Sequence, residues 1–348
     1  MSARTPAAPA PKTNRLSLPK AEYEGSKSTL CLGCGHDVIT KQIVNAFWEM
    51  GIEPHRVAKF SGIGCSSKTP AYFLNRASGF NGVHGRMPSL ATGALVANSR
   101  LVGIGVSGDG DTASIGIGQF VHLVRRNVPL VYIVEDNGVY GLTKGQFSAT
   151  ADVGATQKNG AVNDYVPIDC CSLAIELGGS FVARSFSGDM KQLQTILEAA
   201  LAHRGTCVID VISPCVTFND HEGSTKSYKW SKEHETPVHE IGFVPFFEET
   251  LAEIPAGASK DVKFPDGSTL RFRGVGRDYD PTDRDGALAA IHASHATGEI
   301  LTGILYVEPE KPSLPDLLHL VDEPLHCLPM ERLRPSKEAL EAIMESMR

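Results

Sequence analysis

Residues 101–146 read LVGIGVSGDGDTASIGIGQFVHLVRRNVPLVYIVEDNGVYGLTKGQ, and this stretch decides the fold. Leu101 to Val106 is an apolar, β-branched run of the kind that forms a buried strand. The chain then turns at Gly108-Asp109-Gly110-Asp111, and the spacing from Thr112 to Arg126 predicts a helix. Val128 to Val134 predicts a second buried strand, so the order is a βαβ unit. A small-residue turn ahead of a helix lets a phosphate approach backbone N–H groups at the positive end of the helix dipole. Asp109 puts a hard oxygen there, and Asn137, just past the second strand, supplies another. Two oxygen ligands beside a diphosphate suit Mg²⁺, which keeps phosphate and water oxygens for its other positions. Gly-Asp-Gly alone would fit an ordinary turn with Asp109 as a helix cap. Asn137 and the run Val139-Tyr140-Gly141-Leu142-Thr143-Lys144-Gly145-Gln146 weigh against that plainer reading.

Outward from this unit, short β-branched runs alternate with amphipathic ones. Val38 to Met50 has helical spacing with Asp37 as its expected cap, and Arg56 to Phe60 reads as a strand. Ser89 to Ser99 reads as a small-residue helix, and 147–167 as a polar excursion. Ser172–Leu177 (helix), Phe181–Arg184 (strand), Asp189–His203 (capped helix) and Thr206–Ile212 (strand) follow. This alternation predicts an α/β fold, a doubly wound, mostly parallel sheet with helices on both faces. Past residue 220 the chain becomes more polar. Phe243–Ile254 is expected to be helix, Lys263–Phe272 a hairpin around Asp266-Gly267, Gly303–Val307 a strand, and Lys337–Met347 a terminal helix. The expected organisation is a flexible lead-in over 1–24, a cofactor-binding domain over 25–220, and an extension over 221–348 that covers a cofactor or meets a partner.

At 42% hydrophobic and 21% charged, the 348-residue chain has globular composition. Its net charge of −7 argues against a nucleic-acid surface. No apolar stretch approaches the ~20 residues of a membrane helix. The Pro- and Ala-rich start lacks the apolar segment of a signal peptide, so a cytoplasmic location is expected, with no membrane partner.

Eight cysteines without a secretory signal point to thiols or metal work rather than disulfides. Cys31 and Cys34 stand three apart at a helix entry, where the helix N-terminus favours thiolate. Cys65 and Cys215 each follow a predicted strand, at the sheet edge where open parallel sheets bind ligands and where the Gly-Asp-Gly turn also lies. A Cys₄ zinc site and an iron–sulfur cluster both remain open by spacing, although a second Cys-x-x-Cys, usual for zinc, is missing. Cys170, Cys171, Cys207 and Cys327 are expected to be buried small apolar residues.

GDGD followed by EDNGVYGLTKGQ resembles the thiamine-diphosphate motif of the 2-oxoacid:ferredoxin oxidoreductases, in the subunit usually called beta. Lys144 stands where that motif often has Gly. Cys-Leu-Gly-Cys-Gly-His, Gly-Ile-Gly-Cys-Ser-Ser and a late Cys after a strand resemble the ligands of the family's 4Fe–4S centre. The resemblance implies a thiamine-diphosphate-binding fold. It implies that Cys31, Cys34, Cys65 and Cys215 hold the cluster, and that Asp109, Asn137 and the Val139 carbonyl hold Mg²⁺. Ile63, Gly64, Cys65, Ser66, His84, Gly108, Gly110, Asp111, Gly141, Leu142 and Thr143 would line thiamine diphosphate. The implied reaction is oxidative decarboxylation of a 2-oxoacid to its acyl-CoA, with electrons leaving through the cluster to ferredoxin.

The substrate is a question for Lys68 and the Val83-His84-Gly85-Arg86 turn. A 2-oxoglutarate enzyme must neutralise a distal carboxylate that pyruvate lacks, since an unpaired buried charge is costly. Lys68, three residues past Cys65, is the expected partner, with Arg86 beside it; the plainer alternative is a solvated lysine or one that offsets phosphate or cluster charge. His84 is placed to bond a phosphate or a reacting carbonyl, or else only the loop backbone. Pyruvate or another 2-oxoacid is the alternative substrate. A non-redox thiamine decarboxylase or synthase would share the turn yet have no use for the four cysteines. The glutamate that activates the aminopyrimidine in thiamine enzymes belongs to a second α/β unit, which this sequence does not show. The resemblance implies that an alpha subunit carries it, in a dimer of αβ pairs. Lys226, Lys229 and Lys232 are a candidate surface for acidic ferredoxin.

Overall fold

The βαβ unit of 101–146 lies at the centre of the computed structural model, which describes residues 12–247, 259–274 and 279–348. In chain order the main-sheet strands are β1 (Val57–Ser61), β2 (Ser78–Asn81), β3 (Val102–Gly108) and β4 (Leu130–Asp136). A small hairpin of β5 (Val139–Tyr140) and β6 (Gln146–Phe147) follows, then β7 (Phe181–Phe186), β8 (Cys207–Ile212) and β9 (Glu235–Pro237). Strands β10 (His239–Val244), β11 (Ser259–Lys263) and β12 (Thr269–Gly274) form a separate antiparallel sheet, and β13 (Ile300–Val307) returns to the main one. The main sheet has the order β2-β1-β3-β4-β8-β7-β13-β9. Its first six strands are parallel, and β13 pairs antiparallel with β7.

Alternation along each strand sorts the core into two layers. On β4, Val131 and Ile133 join α1 (Gly35–Glu49) and α5 (Met190–Ala202) on one face. Leu130, Tyr132 and Val134 join α2 (Met87–Ala97), α3 (Ile117–Arg125), α4 (Cys170–Glu176) and α7 (Arg284–Thr297) on the other. The fold is therefore the expected α/β arrangement, a mostly parallel sheet covered on both faces. The 221–348 segment is woven into it: β9, β13 and α7 complete the main sheet and one helical layer, and Val262, Phe264, Leu270 and Phe272 of the small sheet pack on the α1/α5 side.

Several local expectations change. The helix expected from Thr112 is a π-helical turn over Gly110–Ile115, followed after Gly116 by α3; such wide turns recur at functional sites. Asp37 lies inside the first turn of α1, whose cap position is Cys34. Phe243 and Val244 end strand β10 rather than starting a helix; the rest of that expected helix, from 248, lies outside the described residues. Cys170, Cys171 and Cys207 are buried, but Cys327 is exposed in a short turn.

Candidate functional site

The C-terminal ends of β1, β3 and β4 open into one cleft. Its walls bring together Ile63, Gly64, Cys65, Ser66, His84, Gly108, Asp109, Gly110, Asp111, Asn137, Val139, Gly141, Leu142 and Thr143. These are all of the residues expected at thiamine diphosphate and Mg²⁺. His36 and Tyr140 line the cleft as well; neither was expected to, although His36 stands two residues past Cys34.

Asp109 is 1% exposed and does not cap the helix that follows. Its Oδ2 instead accepts from the Ser148 hydroxyl, the Thr150 hydroxyl (2.6 Å) and the Gly138 N–H (2.9 Å). Burial, aided by the nearby Asp136 carboxylate, pushes its pKa up to about 7. A desolvated carboxylate beside a second one favours a cation, so the donor set here fits Mg²⁺. Asn137 is buried, with its Oδ1 accepting from Val139 N–H at 3.0 Å and its backbone carbonyl from Asn219 Nδ2 at 2.8 Å. These bonds order the segment 137–139 that would face the ion.

Asp111 has a different surrounding. Its Oδ1 accepts from the His84 ring nitrogen Nδ1, the Gly85 N–H (2.7 Å) and, at the limit, the Ile63 N–H (3.5 Å). Its Oδ2 accepts from the Ser107 hydroxyl at 2.7 Å. Two loops and the end of β3 thus meet on one carboxylate, and Asp111 clasps the cleft rather than offering a free oxygen to it. With Nδ1 on Asp111, His84 keeps Nε2 for other partners; its ring stands edge-on to Tyr140, 6.0 Å between centroids. On the opposite wall His36 is fully buried: Nδ1 meets the Ser213 hydroxyl at 2.6 Å and Glu135 at 3.5 Å, and burial lowers its pKa to about 4.

The four expected cluster cysteines converge on the same edge. A Cβ on Gly141 would stand 3.5 Å from Cys65 Sγ and 3.6 Å from Cys215 Sγ, so a residue without a side chain leaves room between the two sulfurs. Cys31 Sγ accepts from the Thr217 hydroxyl at 3.5 Å. Burial, with Glu135 and Cys215 adding, pushes the Cys34 thiol up to about 12, and burial with Cys215 and Cys31 raises that of Cys65. These thiols feel one another's charge, which is what a positively charged cluster would relieve. Among the described residues, however, no three His, Cys, Asp or Glu side chains already close on a common point. The donor set fits a Cys₄ cluster; the sulfurs are gathered, not clenched.

Other expectations fare differently. Lys68 is half-buried in the turn Ser66–Ala71, near enough to act on the Cys65 thiol but outside the cleft lining. Arg86 is exposed, its guanidinium bonded to Gly85 O at 3.3 Å. Lys226 is not a surface cation, since its Nζ pairs with Asp136 at 2.7 Å in the interior; Lys229 and Lys232 are exposed. No described helix is long and apolar enough to cross a membrane.

Residues 62–211 match the family model of the C-terminal TPP-binding domain of thiamine pyrophosphate enzymes, and this range contains every residue of the cleft lining but His36. A 2-oxoacid:ferredoxin oxidoreductase subunit beta from Saccharolobus solfataricus is 44% identical over 199 residues, 57% of this chain; the chain spans 65% of that relative's length. A 2-oxoglutarate synthase subunit KorB from Methanocaldococcus jannaschii is 31% identical over 243 residues, 68% of this chain and 88% of the relative. Among solved structures, a 2-oxoglutarate:ferredoxin oxidoreductase from Magnetococcus marinus, with 2-oxoglutarate, coenzyme A and succinyl-CoA bound, matches with a TM-score of 0.73 and 28% identity. The match covers 94% of this chain and 96% of that one. Likeness of this extent, running through the cleft and well beyond it, places the chain in the beta-subunit family of the 2-oxoacid:ferredoxin oxidoreductases.

Proposed function

We propose that this chain is the thiamine-binding half of a 2-oxoglutarate:ferredoxin oxidoreductase, which converts 2-oxoglutarate, CoA and oxidised ferredoxin to succinyl-CoA, CO₂ and reduced ferredoxin. The observation that carries this reading is the shared edge. The buried Asp109/Asn137 oxygens and the Cys65 sulfur stand on walls of one cleft, with the Cys215 sulfur next to its Gly141 wall. When bound there, thiamine diphosphate would supply the chemistry of 2-oxoacid decarboxylation, and a cluster held by the neighbouring cysteines would supply one-electron redox chemistry.

In this reading Asp109, Asn137 and the Val139 carbonyl would hold Mg²⁺, and the backbone N–H groups of the π turn would be donors to the diphosphate. Cys31, Cys34, Cys65 and Cys215 hold one 4Fe–4S cluster. His84, fixed through Nδ1 by Asp111, presents Nε2 as a proton donor or acceptor to the bound substrate. Lys68, at the rim, pairs with the distal carboxylate of 2-oxoglutarate.

An alpha subunit is needed to close the site, and the apolar rim supports this. Leu32 is fully exposed beside Cys31, Val83 is 71% exposed beside His84, and Ile63 and Leu142 are exposed in the cleft wall itself. Large apolar residues grouped around a cofactor cleft mark a covered surface. The reading includes a dimer of αβ pairs. The same chemistry on pyruvate is a second reading, favoured by the position of Lys68 outside the cleft lining.

The test is anaerobic purification of the chain with its alpha partner, iron and sulfide analysis, and ferredoxin reduction with CoA and a panel of 2-oxoacids. Iron-containing enzyme with highest kcat/KM on 2-oxoglutarate is expected, and Lys68→Ala should lower that value more than the one for pyruvate. Equal losses on both acids sink the specificity assignment. Colourless, iron-free protein that still decarboxylates favours a non-redox thiamine enzyme instead.

A further inference from the structure

Lys59 lies on β1 with both strand neighbours in the core, and it is only 6% exposed. Burial pulls its pKa down to about 8. Its Nζ donates to three backbone carbonyls, those of Pro70 (2.7 Å), Phe73 (2.7 Å) and Leu74 (3.0 Å), and stands 5.4 Å from the Phe73 ring centroid. An ammonium has three N–H groups and meets three acceptors; a neutral amine would leave one carbonyl bare in a dry place. A lysine is an expensive choice for a core strand position, so its bonds have to matter locally.

Those three carbonyls belong to the far end of the segment that starts at Cys65. From Cys65 to Tyr72 the chain is wound tight: Lys68 N–H donates to Cys65 O (3.1 Å), the Thr69 hydroxyl to Ser66 O (2.7 Å), and Tyr72 N–H to Thr69 O (2.8 Å). Leu74, one of the three acceptors, sits at φ 47° in the left-handed region, where a leucine needs outside support. Its N–H donates to Tyr23 O at 2.8 Å. The segment is thus a short rigid strut with the Lys59 ammonium under one end and the Cys65 sulfur at the other.

We propose that Lys59 is a positioning residue: its buried ammonium, seated under the carbonyls of Pro70, Phe73 and Leu74, sets where the Cys65 sulfur and the Lys68 ammonium stand at the edge of the cleft. This rests on the reading of Cys65 as a cluster ligand and Lys68 as a substrate-side residue. It differs from a plain packing role because the strut carries the Cys65, Ser66 and Lys68 side chains, while Asp109 and Asn137 follow β3 and β4.

The test compares the αβ complex carrying wild-type chain, Lys59→Met (similar length, no donors) and Lys59→Gln (two N–H donors). Amide hydrogen exchange is followed in peptides over 62–74 and, as reference, 102–108. In Lys59→Met, exchange over 62–74 should rise by about tenfold with 102–108 unchanged. The electron paramagnetic resonance signal of the reduced cluster should broaden, and thiamine diphosphate should lose affinity by a few-fold at most, because Asp109 and Asn137 follow β3 and β4. KM for the 2-oxoacid should rise more than kcat falls. Lys59→Gln should lie between the two, and it carries the test if Lys59→Met does not fold. Unchanged exchange over 62–74 overturns the proposal, and so does equal loosening of both peptides with weakened thiamine binding. If the wild-type complex holds no iron, the functional reading fails, and the exchange comparison still decides whether Lys59 holds the strut.

Discussion

A single carboxylate, Asp111, is where sequence and structure part most instructively. A motif places it at the cofactor; its four donors, from His84, Gly85, Ile63 and Ser107, show it holding the cleft together. Asp111→Asn would aim an amide N–H at some of these donors, leaving buried groups unpaired at ~1–3 kcal/mol. The His84 ring would lose its fixed orientation. The variant should keep its thiamine diphosphate affinity within a few-fold and lose roughly 10²-fold in kcat, measured by steady-state kinetics beside a calorimetric thiamine titration. Gly62 gives an independent route to the same defect. A Cβ there would lie 1.9 Å from Asp111 Oδ2, so Gly62→Ala must displace the clasp and should reproduce the Asp111→Asn kinetics. If Gly62→Ala is fully active, the clasp is not what sets His84. That Asp109, Asn137, Cys65 and Cys215 meet at one sheet edge was legible because each follows a strand that apolar periodicity locates; their roles at a metal or cluster rest on the resemblance. The role of Asp111 was not legible, because it depends on donors 48, 27, 26 and 4 positions away in the chain. His36 and Lys59 were hidden for the same reason: burial and partners, not neighbours in sequence, make them special.

At the scale of elements, apolar periodicity located the α-helices of residues 35–212 and five of the eight strands, missing β2, exposed throughout, and the two-residue β5 and β6; it also failed where two patterns compete. The stretch from Thr112 reads as one helix because its apolar spacing runs through Gly116, yet the first turn widens to a π turn. Phe243 and Val244 have no alternation to declare a strand, and only pairing with β12 makes them one. The short strand β9 was invisible because its three residues, Glu235 to Pro237, carry no strand signal of their own; pairing with β13 defines it. That edge carries a pH prediction. Glu235 on β9 is partly buried and accepts from the Thr302 hydroxyl at 3.2 Å; burial, with Asp189 adding, raises its pKa to about 7. A carboxyl whose folded pKa exceeds its unfolded one contributes stability that is present below the unfolded value and is lost as pH climbs through the folded one. The protein should therefore lose stability through this group between pH 4.5 and 7. Glu235→Gln, which mimics the protonated form, should show no gain in Tm at pH 4.5 and a gain of roughly 1–2 °C at pH 8, small because water screens the exposed part of the side chain. Scanning calorimetry at the two pH values checks it, and an equal offset at both would assign the effect to something other than this carboxyl.

For the whole molecule, the sheet order leaves the cleft at one edge. The cleft lies where β1, β3 and β4 end, and no described residue of the C-terminal segment lines it. That segment instead extends the far side of the sheet through β13 and β9. The surface left open carries apolar groups that a free-standing subunit would not keep in water: Leu32, Val83 and Leu142, beside Cys31, beside His84 and in the cleft wall. Burying three such side chains against a partner contributes on the order of 1.5–3 kcal/mol each. A charge at their centre would have to be desolvated without a mate. Val83→Asp should accordingly weaken assembly with the alpha subunit by a hundredfold or more, taking about 2.7 kcal/mol or more from the interface. Thermal stability of the isolated chain and its thiamine diphosphate binding should stay near wild type, because Val83 is 71% exposed and packs on little of its own fold. Sedimentation velocity over a dilution series separates the outcomes. A variant that assembles as tightly as wild type places the alpha subunit elsewhere and leaves the rim unexplained. One that also loses stability alone makes Val83 part of this chain's fold rather than its interface.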